Sequence, residues 1–215
     1  MAVAVHTRQT SHLPCIASGG PTALNPRNYE HRMGSYFETF IRNGDVWHRR
    51  SYAASPPFAW ELPVTTTGDA SFPWSYVLSW RRITLLYVRG AADTWITVSD
   101  DEGLTWETPT LSIAGGVKPY GVVCPYTGTE WIAAFVTATE KIGMRRRYGG
   151  AATFEAQVNL KDSAGADLLF ENDTFAFWVG YENAARLMLH AHIKGESATS
   201  TWHSADDGAT WARFT

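Results

Sequence analysis

The stretches Ser99-Asp100-Asp101-Glu102-Gly103-Leu104-Thr105-Trp106 and Ser204-Ala205-Asp206-Asp207-Gly208-Ala209-Thr210-Trp211 both read S-x-D-x-G-x-T-W. Each follows a Thr-Trp pair, Thr94-Trp95 and Thr201-Trp202, that opens a short strand-like run. Two degenerate copies keep the frame: Ala59-Trp60, with Ser55 at the Asp position, and Thr153-Phe154, with Gly149 there. The terminal aromatics fall at 60, 106, 154 and 211, spaced 46, 48 and 57 apart. Self-similarity at such a period marks a repeat architecture and outranks any local assignment.

Working outward, each box is preceded by a pair of segments rich in β-branched and aromatic residues, the pattern of a hairpin. The pairs are Tyr36–Ile41 with Val46–Arg50, Ile83–Val88 with Thr94–Val98, Trp131–Val136 with Ile142–Arg147, and Arg186–Ile193 with Thr201–Ser204. Asn43-Gly44, Gly90 and Lys194-Gly195 punctuate three of the turns, while Thr137–Lys141 has no glycine. One more strand is expected before each hairpin, at His12–Ala17, Trp74–Trp80, Tyr120–Pro125 and Thr174–Gly180, and a short fourth strand from each box aromatic onward. Four strands per repeat predict an all-β fold, a β-propeller of about four four-stranded blades in one domain over 1–215. The repeat units run over roughly 12–62, 74–110, 119–158 and 173–215, with 157–171 read as a surface insertion between blades. Pro26–Arg32 reads as one helical turn, and Ala2–Val5 either as a strand that pairs beside Trp211–Thr215 and closes the ring or, with the other chain end, as a segment held by neighbouring subunits.

The boxes resemble the Asp-box, or bacterial neuraminidase repeat, of sialidase-like propellers. The resemblance implies a tight turn between the third and fourth strands of a blade, away from the ligand face. The residue types suit that turn. The carboxylates of Asp101 and Asp206 can accept several backbone N–H groups. Gly103 and Gly208 tolerate positive φ, and the hydroxyls of Ser99, Thr105, Ser204 and Thr210 add short-range bonds. Trp106 and Trp211 bury large aromatic area beneath the turn. A box whose carboxylate is consumed by backbone donors is structural, so these ten residues are assigned to architecture. Asp100-Asp101-Glu102 lacks the alternating ligand spacing of a calcium loop.

Sialidases carry an arginine triad, a Tyr nucleophile paired with Glu, and an Asp acid/base, with the first arginine in a Phe/Tyr-Arg-Ile-Pro motif. That motif is missing here; Asn25-Pro26-Arg27-Asn28 is the nearest Pro/Arg combination. Tyr181-Glu182 are adjacent and would point to opposite faces of a strand. Catalytic residues are therefore not assigned, and a glycoside hydrolase with a divergent site is kept as the alternative. That alternative requires two facing carboxylates about 5–9.5 Å apart at the channel mouth.

Composition narrows the partners. The 215 residues carry 18 Lys+Arg against 21 Asp+Glu, a net charge of −3, which argues against a nucleic-acid binder. No apolar run is long enough for a membrane helix. The start MAVAVHTRQTSHLP lacks the pattern of a signal peptide, so cytoplasmic synthesis is expected. Cys15 and Cys124 are too few for a disulfide scaffold. His190, His192 and His203 could in principle form a metal cluster, but packing or surface hydrogen bonding is the expected reading, and no cofactor is implied. Of the 10 Trp, only Trp74, Trp80, Trp131 and Trp178 fall outside the hairpin–box frame. These four are candidates for a ligand or partner surface, together with the basic run Arg145, Arg146 and Arg147. The expectation is a non-catalytic module that recognises or assembles with other protein subunits, or binds a glycan. A virion component such as a phage tail or fibre protein is one setting for it.

Overall fold

The computed structural model describes residues 28–32, 35–51, 60–77, 82–124, 127–149, 151–181 and 185–214, and among them there is no helix. The chain forms a β-propeller of four antiparallel four-stranded sheets, each made of strands consecutive in sequence. Blade 1 comprises β1 (Asn28–Arg32), β2 (Ser35–Arg42), β3 (Asp45–Ser51) and β4 (Trp60–Pro63). Blade 2 comprises β5 (Ala70–Val77), β6 (Ile83–Arg89), β7 (Asp93–Ser99) and β8 (Thr110–Ile113). Blade 3 comprises β9 (Gly116–Val123), β10 (Glu130–Val136), β11 (Lys141–Arg147) and β12 (Val158–Asn159). Blade 4 comprises β13 (Phe170–Tyr181), β14 (Ala185–Ile193), β15 (Ser200–Ser204) and β16 (Ala212–Arg213).

The hairpins lie where the β-branched runs place them, but four expectations need correction. Asn28–Arg32 is a strand, not a helical turn: its backbone pairs with β2 from Asn28↔Thr39 to Arg32↔Ser35. The fourth strands of blades 2 and 3 do not start at the box aromatic. They start at Thr110 and Val158, because Trp106 is still part of the turn, its Nε1 donating to the Gly103 carbonyl at 3.1 Å. The segment 157–171 is not merely a surface insertion. It contains β12, and its Leu160, Leu168 and Phe170 are buried in the core. Asp162 also forms a backbone bridge to Trp211, tying this segment to blade 4. Finally, β5, β9 and β13 each begin about four residues earlier than expected, which proves to matter for the site. The expected strands at Ala2–Val5 and His12–Ala17, together with Cys15, lie outside the described residues.

The first strand of each blade is the innermost. β5 packs against β2 and β9, and β9 against β13, so extensive contacts run from blade 1 through blade 4 in order. The largest apolar cluster joins blades 3 and 4, built on Trp131, Ile142, Phe170, Phe177, Leu189 and Trp211. Smaller clusters join blades 1 and 2 through Val46, Ala70, Leu85 and Tyr87, and blades 2 and 3 through Tyr76, Leu86, Ile96 and Ile132. Burial of this apolar area is the main force holding blade to blade.

Candidate functional site

Strand register divides the molecule into two ends. Ala70 pairs with Arg89 and Gly116 with Val136, so the start of each inner strand lies beside the hairpin turns between second and third strands. The boxes follow the third strands and therefore lie at the opposite end.

At the turn end every inner strand of blades 2 to 4 carries a bulge. The register slips between Ser71 and Trp74 in β5, between Val117 and Tyr120 in β9, and between Phe170 and Phe175 in β13. The sequence at the slip is Phe72-Pro73-Trp74 in one blade and Lys118-Pro119-Tyr120 in the next. Phe72 and Lys118 have φ of 47° and 49°, a left-handed conformation costly for side chains with a Cβ. Proline forbids a ladder donor at the following position, so the bulge is encoded. Bulges at a rim re-aim side chains. Here Phe72 is left 43% exposed. Lys118 Nζ reaches across to Asp173 Oδ1 of the next inner strand at 2.7 Å.

Beneath this rim runs an arc of three rings, one per blade. Trp74 and Tyr120 lie 4.7 Å apart between centroids, as do Tyr120 and Phe175, all tilted. Such tilted pairs add roughly 0.5–1.5 kcal/mol each beyond area burial. Trp74 Nε1 donates to the Gly121 carbonyl at 2.9 Å, which fixes its ring. Burial, and then the charge of Asp173, push the Tyr120 hydroxyl up to about 12. It is therefore a protonated donor at neutral pH.

At the other end the boxes form as closed local networks. Asp101 Oδ1 accepts the Thr105 N–H at 2.8 Å and Oδ2 accepts the Thr105 hydroxyl at 2.6 Å, while Ser99 Oγ donates to Asp101 and accepts the Gly103 N–H at 2.7 Å. Asp206, Ser204, Thr210 and Gly208 repeat the arrangement bond for bond. Burial opposes the charge on both aspartates. The hydroxyl and N–H of Thr105 or Thr210 outweigh it, with help from the serine hydroxyl, and hold each carboxyl below the usual range. Gly103 and Gly208 share φ of 92° and press on the preceding blade: a Cβ would overlap the His48 imidazole at the first and the Met144 thioether at the second. His48 is sandwiched by Trp60 and Trp106, and burial, then Arg50, lowers its pKa to about 3.

In blade 3, Arg147 stands in the register position of Ser99 and Ser204, and Glu130 opposite it in that of Ile83 and Leu187. Arg147 Nε donates to Glu130 Oε1 at 2.7 Å and its guanidinium lies 4.5 Å over the Phe154 ring. From blade 2, the Tyr76 hydroxyl at 2.9 Å and the Thr84 hydroxyl at 3.2 Å donate to Glu130 Oε2. Burial, then the adjoining Glu130 carboxylate, keep the Tyr76 hydroxyl protonated far above its ordinary range.

The surface candidates read from the sequence separate on this frame. Trp131 is only 2% exposed and donates to the Asp207 carbonyl at 3.2 Å, so it is core and not surface. Arg147 is likewise buried, because its charge is needed by Glu130. Arg145 is consumed by the carbonyls of Glu155, Phe154 and Ser112, and Arg146 pairs with Glu155 beside the Tyr148 ring. Trp178 is 36% exposed on β13, on the face turned away from blade 3. Trp74 is half-buried within the ring arc, and Trp80 and Glu182 lie outside the described residues. His190 bonds Thr201 and His192 bonds the Glu196 carbonyl, and among the described residues no three such groups converge on a metal position. Sequence reasoning did not single out Phe72, Lys118, Tyr120 or Asp173. The signal was available in the Phe72-Pro73-Trp74 and Lys118-Pro119-Tyr120 tripeptides, each preceding the expected strand.

No protein family model matches the chain, and no curated protein matches it in sequence. Solved structures do match in fold. A Hadza microbial sialidase superposes with TM-score 0.58 at 13% identity, over 88% of this chain and 46% of its own. An exo-β-1,3-galactanase from Phanerochaete chrysosporium gives 0.57 at 10% identity, over 94% and 53%. A protein of unknown function from Dyadobacter fermentans gives 0.59 at 10% identity, over 86% and 66%. The chain thus spans about half the length of the sialidase and the galactanase. Its fold is the β-propeller on which sialidases and other glycoside hydrolases are built.

Proposed function

We propose that this chain is a non-catalytic glycan-recognition propeller of the sialidase-like, Asp-box type, binding at the bulged rim of its inner strands. The observation that carries the reading is Phe72. A large apolar ring sits 43% exposed in a left-handed backbone conformation, two residues before Trp74 of the arc that Trp74, Tyr120 and Phe175 form. Strain of this kind persists where the surrounding structure imposes it, and it clusters at functional sites. An exposed ring offers a flat face on which a pyranose can stack, and Lys118 and Asp173, on the inner strands of the next two blades, offer a donor and an acceptor for sugar hydroxyls. The non-catalytic part of the reading draws on how the carboxylates are used. The buried Glu38 and Glu130 are sealed by Arg49 and Arg147.

The test is a glycan-array screen followed by titration of the best hit against wild type and Phe72→Ala. The expected result is saturable binding that weakens about tenfold or more in the variant, with no change in thermal midpoint. Turnover of fluorogenic glycosides by the wild-type chain would instead establish the hydrolase reading.

A further inference from the structure

The geometry points to a neutral saccharide, not an acidic one, as the ligand of the inner rim; this rests on the glycan reading above. An acidic sugar needs a cation whose charge is available to it, and among the described residues the turn end holds nearly all its cations in pairs. Lys118 faces Asp173 at 2.7 Å, Lys141 faces Asp167 at 2.6 Å, and Arg89 faces Asp69 at 3.5 Å. Lys194 pairs with Glu140 and Arg42 with Glu61. Lys161, exposed in the same turn connection as Asp167, shares that carboxylate with Lys141.

Beyond these pairs the end carries further carboxylates. Asp45 accepts the Gly68 N–H and Asp93 the Gly115 N–H, each through one oxygen at 2.8 and 2.9 Å. Glu171, on the bulge of β13, is exposed. The turn connections at 43–44, 64–69, 90–92, 114–115, 137–140, 160–169 and 194–199 all lie within the described residues. Among the described residues, an approaching carboxylate or sulfate therefore meets cations that, Lys161 apart, are paired, and an excess of carboxylates, which disfavours it by like-charge juxtaposition. A neutral sugar meets no such obstacle. An oligosaccharide can lay the apolar face of one ring on Phe72 of β5 and share hydroxyls of another between the two members of the Lys118–Asp173 pair of β9 and β13. Because both groups are partly exposed, the pair can open to admit a hydroxyl at little cost.

The experiment is calorimetric titration of the full chain with two sets of probes. One set is β-linked galacto-, gluco- and xylo-trisaccharides; the other is the same trisaccharides capped with sialic or glucuronic acid. The expected result is binding of at least one neutral probe, with its acidic counterpart about tenfold weaker or worse. Asp173→Asn releases Lys118 and should narrow that gap about tenfold; if it fails to fold, Asp69→Asn, which releases Arg89, serves in its place. Preference for the acidic probes overturns the neutral inference and leaves the glycan reading standing. Absence of binding to both sets overturns both. An unchanged ratio in a folded releasing variant overturns the charge argument.

Discussion

Blades 2 and 4 finish their third strands with a self-contained turn, whereas blade 3 finishes its own with a buried ion pair that reaches into the neighbouring blade. In the first two, every bond of the box lies within eight residues, and the carboxylate remains near water. In the third, Arg147 replaces the serine, Glu130 replaces the aliphatic residue opposite, and blade 2 supplies two hydroxyl donors. The difference teaches that one turn position can be closed in two ways. Local closure is cheap and modular. The long-range solution couples two blades, and breaking it is more damaging, since a lone buried charge is left behind.

The first way to break the comparison is Glu130→Ala. Removing one member of a buried pair leaves Arg147 uncompensated and should cost about 3–5 kcal/mol in urea unfolding. The double variant Glu130→Leu/Arg147→Met, which replaces the ion pair with apolar side chains of similar size, should recover most of it. A single variant within 1 kcal/mol of wild type would show that the pair is not needed.

The second test concerns His48, on which the box of blade 2 rests. Its folded pKa, about 3, lies below the ordinary 6.5, so the unfolded chain binds the proton first. The contribution is fully present above pH 6.5 and is lost progressively as pH falls toward the folded value, about 2–3 kcal/mol by pH 4.5. His48→Phe should flatten this slope in stability measured between pH 7 and 4.5. An unaltered slope would assign the acid sensitivity elsewhere.

Third, Gly103→Ala and Gly208→Ala compare the two boxes directly. Both residues have φ of 92°, but the first abuts a rigid imidazole between two indoles and the second a flexible thioether. Gly103→Ala should therefore cost about 2–3 kcal/mol and Gly208→Ala about 1 kcal/mol less. The smallest effect is expected for Asp101→Asn and Asp206→Asn, about 1 kcal/mol each at pH 7. Their carboxyls lie below the ordinary range, so the native contribution holds at neutral pH and fades as pH falls through that lowered value. The variants should lose that acid dependence in thermal melts.

Most of the architecture was legible because hairpins and boxes are local: strand, turn and box follow one another within a few residues. What was missed is non-local. Asn28–Arg32 is polar and becomes a strand only because β2 offers it a partner. β12 is two residues long and gains its place from Met144 and Gly143, not from its own composition. Trp131 and Arg147 looked like surface because their isolated sequence context says nothing about Asp207 or Glu130 facing them. The rim was hidden for a similar reason. A Pro after Phe72 or Lys118 reads as a strand breaker until the aligned blades show it to be a repeated bulge.

The order of blade contacts has one further consequence. Among the described residues extensive contacts run between consecutive blades, so the stability of this part of the molecule is approximately a sum of blade and nearest-neighbour terms. Those terms are unequal, for among the described residues the apolar cluster between blades 3 and 4 is larger than the one between blades 1 and 2. Amide hydrogen exchange should accordingly show a gradient of protection along the chain, with β2 and β3 opening first and β10 and β14 last.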